Sequence, residues 1–300
     1  MKELKSNQFR TLLVEDWRDF DDFDFGSHDC VYRGQGRASW KLQTGYERQQ
    51  RVLNPMHEQS MLRRFISQAG IYMHDLPRPV DYVSWFALMQ HYGTGTRMLD
   101  VTRSRYVALF FALEGMRASH FEESGVVWVF KMHRSDSGFY NALLTSDREH
   151  CIDTSEVDLT EPLCEYRTLG CRFGNEFIYS DWAGEVREAI KDSFVEKHRN
   201  RMKPFLSSGG VIRVLPEKAN KRMVAQAAEF LMPISLRKSF EANLLSDLKD
   251  RHGNRCTPEV VKLIIPQEVA RVCYAKLIDM NLTYQTLCPD IEGLALAMNV

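Results

Sequence analysis

Apolar residues recur along the chain at two spacings, and each spacing names its element. Between Pro55 and Ala69 the positions Met61, Leu62, Phe65 and Ile66 fall three to four residues apart, one stripe of a helix. Asp81 to Tyr92 reads as a second helix, halted by Gly93. Val107-Ala-Leu-Phe-Phe-Ala-Leu113 is the body of a third, with Ser104 or Thr102 as its N-cap. Gly125 to Lys131, Val211 to Leu215, Glu229 to Ile234 and Val260 to Ile265 are short apolar runs that predict strands, the last closed by Pro266. His28 to Gly34 predicts a strand ending at glycine, with Val31 and Arg33 on one face and Cys30 and Tyr32 on the other.

Phe9 to Phe25 mixes aromatic and apolar residues with acids and predicts a short amphipathic helix ending in an acidic turn. Helices are expected at Glu268 to Met280 and near Ile291 to Met298. Residues 135 to 205 carry little pattern beyond a strand-like piece, Glu176 to Tyr179, and a charged helix-like piece, Gly184 to Arg201. Strands and helices mix without regular βαβ alternation, which favours α+β over a doubly wound sheet. No repeat, low-complexity tract or linker divides the 300 residues.

Composition narrows the class. At 44% hydrophobic and 26% charged the chain is an ordinary globular sequence. A formal net charge of −1 gives no global reason to bind nucleic acid or an anionic membrane, although a local basic patch can still do so. The opening MKELKSNQFRTLL has no signal-peptide apolar core, and the run from Val107 is far shorter than the roughly 20 residues a membrane span needs. The expected location is cytoplasmic, with no membrane partner. Seven scattered cysteines without a C-x-x-C pair argue against a disulfide framework and a zinc site, so no metal is expected.

The chemistry-bearing residues fall in three places. In Tyr32-Arg33-Gly34-Gln35 a guanidinium stands at a strand end, able to grip phosphate or carboxylate with two parallel hydrogen bonds, while Gly34 and Gly36 would let backbone approach a ligand. A structural ion pair is the alternative. In His91-Tyr-Gly-Thr-Gly-Thr96-Arg97-Met-Leu-Asp100-Val-Thr102-Arg-Ser104, hydroxyls and a guanidinium lead into the apolar helix, whose N-terminal amides favour an anion such as a pyrophosphate. Asp100, Thr102 and Ser104 could equally serve only as caps. In the third place, Gln226 and Glu229 could hold a ribose and stabilise a cationic sugar, or be surface residues at helical spacing. No Walker loop or G-x-G-x-x-G occurs. A basic cluster, Lys197-His-Arg-Asn-Arg-Met-Lys203, could contact nucleic acid phosphates, but Glu185, Glu188, Asp192 and Glu196 dilute its charge.

Together these blocks resemble the bacterial FRG domain, a family named for a Phe-Arg-Gly signature. Here the signature reads Tyr32-Arg33-Gly34, followed by Trp40-x-Leu42 and Arg48. Gln90-His91-Tyr92-Gly93-x-x-Thr96-Arg97-x-Leu99-Asp100-x-Thr102 and Ala108-Leu-Phe-Phe-Ala112 are similar to the most distinctive block of the family. Arg222-x-x-x-Gln226, Ile264-Ile-Pro266 and Pro289-Asp290 through Gly293-Leu294 resemble later elements. One departure is local: after the glutamine the family usually has glycine and an apolar residue before its phenylalanine, whereas here Ala227, Ala228 and Glu229 precede Phe230, which adds a carboxylate.

The resemblance implies one FRG-type domain over residues 1 to 300, with 135 to 205 as a family-specific insertion. It implies an ADP-ribosyltransferase-like split β-sheet core with surrounding helices, and a setting in phage defence or a toxin–antitoxin system. The expected activity is transfer of ADP-ribose from NAD to a macromolecular acceptor, which could be RNA, DNA or protein, with an antitoxin protein as a further partner. Arg33, Gln226 and Glu229 are the expected catalytic residues. Tyr32, Arg33, Gly34, Gln35, His91, Thr96, Arg97, Asp100, Thr102 and Ser104 are the expected contacts to NAD. The competing expectation is a non-catalytic module that senses a nucleotide or binds a protein; a phosphodiesterase or nuclease has less support, since the sequence shows no metal-binding carboxylate cluster or paired histidines.

Overall fold

Five consecutive apolar residues, Val126 to Phe130, form the middle of β5 (Gly125–Lys131), and both faces of that strand are buried. A strand covered on one side alternates; one covered on both reads as a continuous apolar run. In a computed structural model of the chain, which describes residues 1–6, 8–24, 30–50, 54–77, 81–132, 210–216, 218–233, 235–246 and 258–298, β5 lies inside an eight-stranded mixed sheet. The other strands are β1 (Lys2–Leu4), β2 (Arg10–Leu13), β3 (Cys30–Gln35), β4 (Leu99–Thr102), β6 (Val211–Val214), β7 (Ala228–Pro233) and β8 (Glu259–Ile265). Their order is β1-β2-β8-β5-β3-β4-β7-β6, antiparallel except for β2 beside β8. The fold is α+β.

The helices are α1 (Trp17–Asp21), α2 (Gly45–Gln49), α3 (Pro55–Ala69), α4 (Tyr82–His91), α5 (Arg105–Ala118), α6 (Lys221–Ala225), α7 (Phe240–Leu244), α8 (Gln267–Asp279), α9 (Tyr284–Leu287) and α10 (Ile291–Ala297). One face of the sheet buries Val31, Val101, Trp128 and Leu231 against α7. The opposite face carries two separate apolar clusters. In one, Leu62 of α3 and Phe86 of α4 pack on Phe230 and Met232 of β7. In the other, Leu109 and Leu113 of α5 and Cys273 of α8 pack on Val127, Val129 and Leu263. At the usual ~25 cal/mol per Å² of apolar surface removed from water, these clusters supply most of the favourable term in folding.

The sheet is nearly interrupted at its centre. β3 and β5 pair over six residues, and β4 and β7 over four, but β3 meets β4 only at Tyr32 and Thr102. Beyond that pair the strands part, and a cavity opens over the gap between α4 and α5.

One expectation needs correction. Phe9 to Phe25 is not one helix: β2 occupies Arg10–Leu13, and α1 begins after Asp16, whose carboxylate accepts the Asp19 N–H. Pairing with β8 supplies the strand character that four residues cannot show by themselves. The segment Leu99–Thr102, for which the sequence pattern predicts no element, is strand β4. Residues 135 to 205, with the strand-like piece at 176 to 179, the helix-like piece at 184 to 201 and the basic cluster at 197 to 203, lie outside the described residues.

Candidate functional site

Arg33 stands where β3 leaves β4. Strand alternation puts it on the face of Val31, yet its Nη1 donates 2.8 Å to the backbone carbonyl of Asp100 and lies 3.7 Å from that residue's carboxylate. The guanidinium thus fills the gap where the β3–β4 ladder would have continued. Its Nε–H is buried and has no partner among the described residues. Burial pushes its pKa below the ordinary arginine value; Asp100 opposes that shift and Arg48 adds to it. A buried donor without an acceptor is costly, and an anionic ligand is one way to satisfy it.

The cavity has a volume of about 390 Å³, within the range of small-molecule sites. Its polar groups include Arg33, Asp100, Arg222 and Gln226; Phe111, Met223 and Phe230 give it apolar walls. Among the described residues Asp100 is the only carboxylate in its lining, and the side chain is 58% exposed. Polar groups at one place and aromatic surface at another suit a ligand with a charged part and a flat ring.

Thr102 holds the two halves of the rim together. Its hydroxyl donates 2.6 Å to the Gln226 carbonyl and accepts the Ser104 N–H at 3.0 Å. Ser104 caps α5, its Oγ accepting from the Val107 N–H, so the choice between Thr102 and Ser104 as cap resolves to Ser104. Val107 and Ala108, in the first turn of α5, face the cavity. Gln226 spends both amide hydrogens on the end of α9, donating to the Leu287 carbonyl at 3.0 Å and the Cys288 sulfur at 3.6 Å. What it has left is an acceptor oxygen, suited to a ligand hydroxyl.

Of the residues singled out in the sequence, Tyr32, Arg33, Gly34, His91, Asp100, Thr102 and Gln226 line the cavity. Five do not. Gln35 is buried and accepts the Trp128 indole N–H at 2.6 Å. Thr96 donates to Gln90 at 2.7 Å inside the protein. Arg97 is fully buried against Glu58, which takes its backbone N–H at 2.9 Å and its Nε–H at 2.6 Å. These contacts tie α3 to the start of β4. Ser104 acts as a cap.

Glu229 is the fifth, and the expectation that it would face the ligand is not met. Phe230 points toward the cavity, so alternation turns Glu229 to the other face of β7. There it is buried and paired bidentately with Arg213, with Arg103 Nε 3.4 Å away. Gly34 also works differently from expectation. An added Cβ would stand 1.9 Å from the Ala108 carbonyl oxygen, so the missing side chain admits α5 as well as any ligand.

Arg222 and Phe111 were not picked out as site residues by sequence reasoning, although both line the cavity. The signal for Arg222 was its place in the Arg222-x-x-x-Gln226 block. Phe111 hid in an apolar run whose neighbour Phe110 is core. Among the described residues no cluster of His, Cys, Asp or Glu is placed to hold a metal ion, and no helix is long and apolar enough to cross a membrane. No curated protein and no solved structure matches the chain. The FRG domain family model matches residues 28–120, the stretch that carries Arg33, Asp100, Thr102 and α5. The signature glycine against α5, the His91 to Thr102 block and the arginine in the sheet gap all lie in that one stretch, so residues 28–120 are what the chain shares with the FRG domain.

Proposed function

We propose that the cavity binds NAD and that the chain transfers ADP-ribose from it to a macromolecular acceptor, either nucleic acid or protein. The observation that carries this reading is the part-buried Arg33 guanidinium, whose buried Nε–H has no partner among the described residues, beside Asp100, the one carboxylate those residues bring to a cavity with aromatic walls. Arg33 and the first turn of α5 hold the pyrophosphate. Gln226 accepts from a ribose hydroxyl.

In the reaction the bond from C1′ of the ribose to the nicotinamide nitrogen breaks, and its electron pair leaves with nicotinamide, which becomes neutral. Positive charge develops on the ribose, and Asp100 stabilises it, the role first given to Glu229. An acceptor oxygen or nitrogen then bonds to C1′ and releases its proton to Asp100 or water. A placed charge of this kind is worth about 3 kcal/mol, roughly a hundredfold in rate.

The test is nicotinamide release from NAD, followed by mass spectrometry with RNA, DNA and protein offered as acceptors. Release should fall about a hundredfold in Asp100→Asn and at least as far in Arg33→Ala, whereas Glu229→Gln should lose far less at a temperature where it stays folded. An unchanged NAD pool with every acceptor would overturn the transferase reading. Growth arrest on expression, relieved by Arg33→Ala, would support a toxin working in phage defence or held by an antitoxin.

A second reading is a module that binds a nucleotide without cleaving it. The locked Glu229 favours it, since the carboxylate expected at the ribose is tied to Arg213 and leaves Asp100 alone to do the chemistry.

A further inference from the structure

Arg222 lines the same cavity as Arg33, but its situation is different. It sits on α6, 29% exposed, and its Nη1 meets Glu292 of α10 at 3.3 Å. Glu292 is itself 67% exposed and stands outside the cavity lining. A single-contact ion pair between exposed side chains contributes little and is easily exchanged. Among the described residues the cavity lining therefore has two guanidiniums against one carboxylate, Asp100, and one of the two is held there by a displaceable acid.

We propose that Arg222 is the second anion contact of this cavity, kept in place by Glu292 until a ligand carrying two linked phosphates engages Arg33 and Arg222 together. Each guanidinium offers a planar fork of donors matched to a phosphate. The unpartnered Nε–H of Arg33 gives one site for a phosphoryl oxygen, and Arg222 gives the other after releasing Glu292. Glu292 then acts as an internal competitor: it weakens binding of any ligand with one phosphate or none, and yields only where a second phosphate repays its displacement. The inference rests on the cavity being the anion site described above, and it holds whether or not the bound ligand is cleaved.

Calorimetric titration with inorganic pyrophosphate, ADP-ribose and adenosine separates these statements. In Arg222→Ala, pyrophosphate and ADP-ribose should bind at least tenfold more weakly, with a shallower dependence on salt. In Glu292→Gln both should bind several-fold more tightly, because the competing charge is gone while α10 keeps its length. Adenosine should change less than twofold in either variant. Thermal melting checks that both remain folded. The proposal falls if pyrophosphate affinity is the same in all three proteins, or if adenosine loses as much as pyrophosphate in Arg222→Ala, since Arg222 would then only support the wall. Persistence of the expected pattern with no nicotinamide release from NAD would remove the transferase reading and leave this one standing. Release of nicotinamide insensitive to Arg222→Ala would do the reverse.

Discussion

At the scale of single residues, one alanine holds a backbone conformation that suits glycine better. Ala227 has φ +46°, the left-handed region that glycine enters freely and a Cβ-bearing residue enters at a cost of ~1 kcal/mol. The turn is needed because both neighbouring carbonyls are in use: Gln226 takes the Thr102 hydroxyl, and Ala227 takes the Arg103 N–H at 3.1 Å. Ala227→Gly should relieve this strain and stabilise the fold by about 0.5–1 kcal/mol, read as a higher denaturant midpoint at unchanged slope. A lower midpoint would mean that the freedom glycine adds to the unfolded chain outweighs the strain. Arg33 and Gln226 could be picked from the sequence because each stands at the end of a strand or in a recognisable block. Glu229 misled because side-chain direction in a strand depends on where the strand starts: with Ala228 as first residue, Phe230 takes the cavity side and Glu229 the other.

Among elements, the approach of α5 to β3 sets the shape of the site. Gly34 and Gly36 bring the helix so close that an added Cβ would meet the Ala108 oxygen at 1.9 Å and the Gly115 carbonyl carbon at 2.3 Å, both of them backbone. Neither neighbour can rotate away. Gly34→Ala should therefore force α5 off the sheet and destabilise by several kcal/mol, more than the ~1–3 kcal/mol typical of overpacking. Circular dichroism melts would show it, and a melting temperature within a few degrees of the parent would mean that α5 shifts freely. The same elements show what local pattern can reveal. The long helices α3, α4, α5 and α8 and the seven-residue apolar strands β5 and β8 were legible, because each has enough residues to display its own pattern, whereas the four-residue β6 was legible as an apolar run behind the pair Gly209-Gly210. The short helices α2, α6, α7 and α9, of four or five residues, complete barely more than a turn. Strand β4 has only Leu99 and Val101 to mark its buried face, beside an exposed Asp100, and its identity comes from pairing with β7.

For the molecule as a whole, the cavity follows from a sheet whose two halves are packed by separate helix groups and joined at a single residue pair. No short window of sequence contains that arrangement, because it depends on strands far apart in the chain. The half built around α5 and α8 also carries three raised titrations. Burial pushes the Cys273 thiol up to about 11 and, with Glu114 adding to it, Tyr274 and Tyr284 up to about 12. All three shifts favour the protonated form in the folded state. Their stabilisation is complete below the unfolded values, 9.0 for the thiol and 10.0 for the phenols, and is lost as pH rises through the folded ones. For the thiol the two-unit shift sets an upper bound of about 2.7 kcal/mol, less after solvent screening. Stability measured by denaturant titration should hold steady up to about pH 9 and decline between about pH 9 and 12. Cys273→Ala should flatten the first part of that decline while leaving the tyrosine part in place. A wild-type profile flat to pH 11 would show that these groups are open to water and that α8 is less firmly seated on the sheet than its packing against Leu263 indicates.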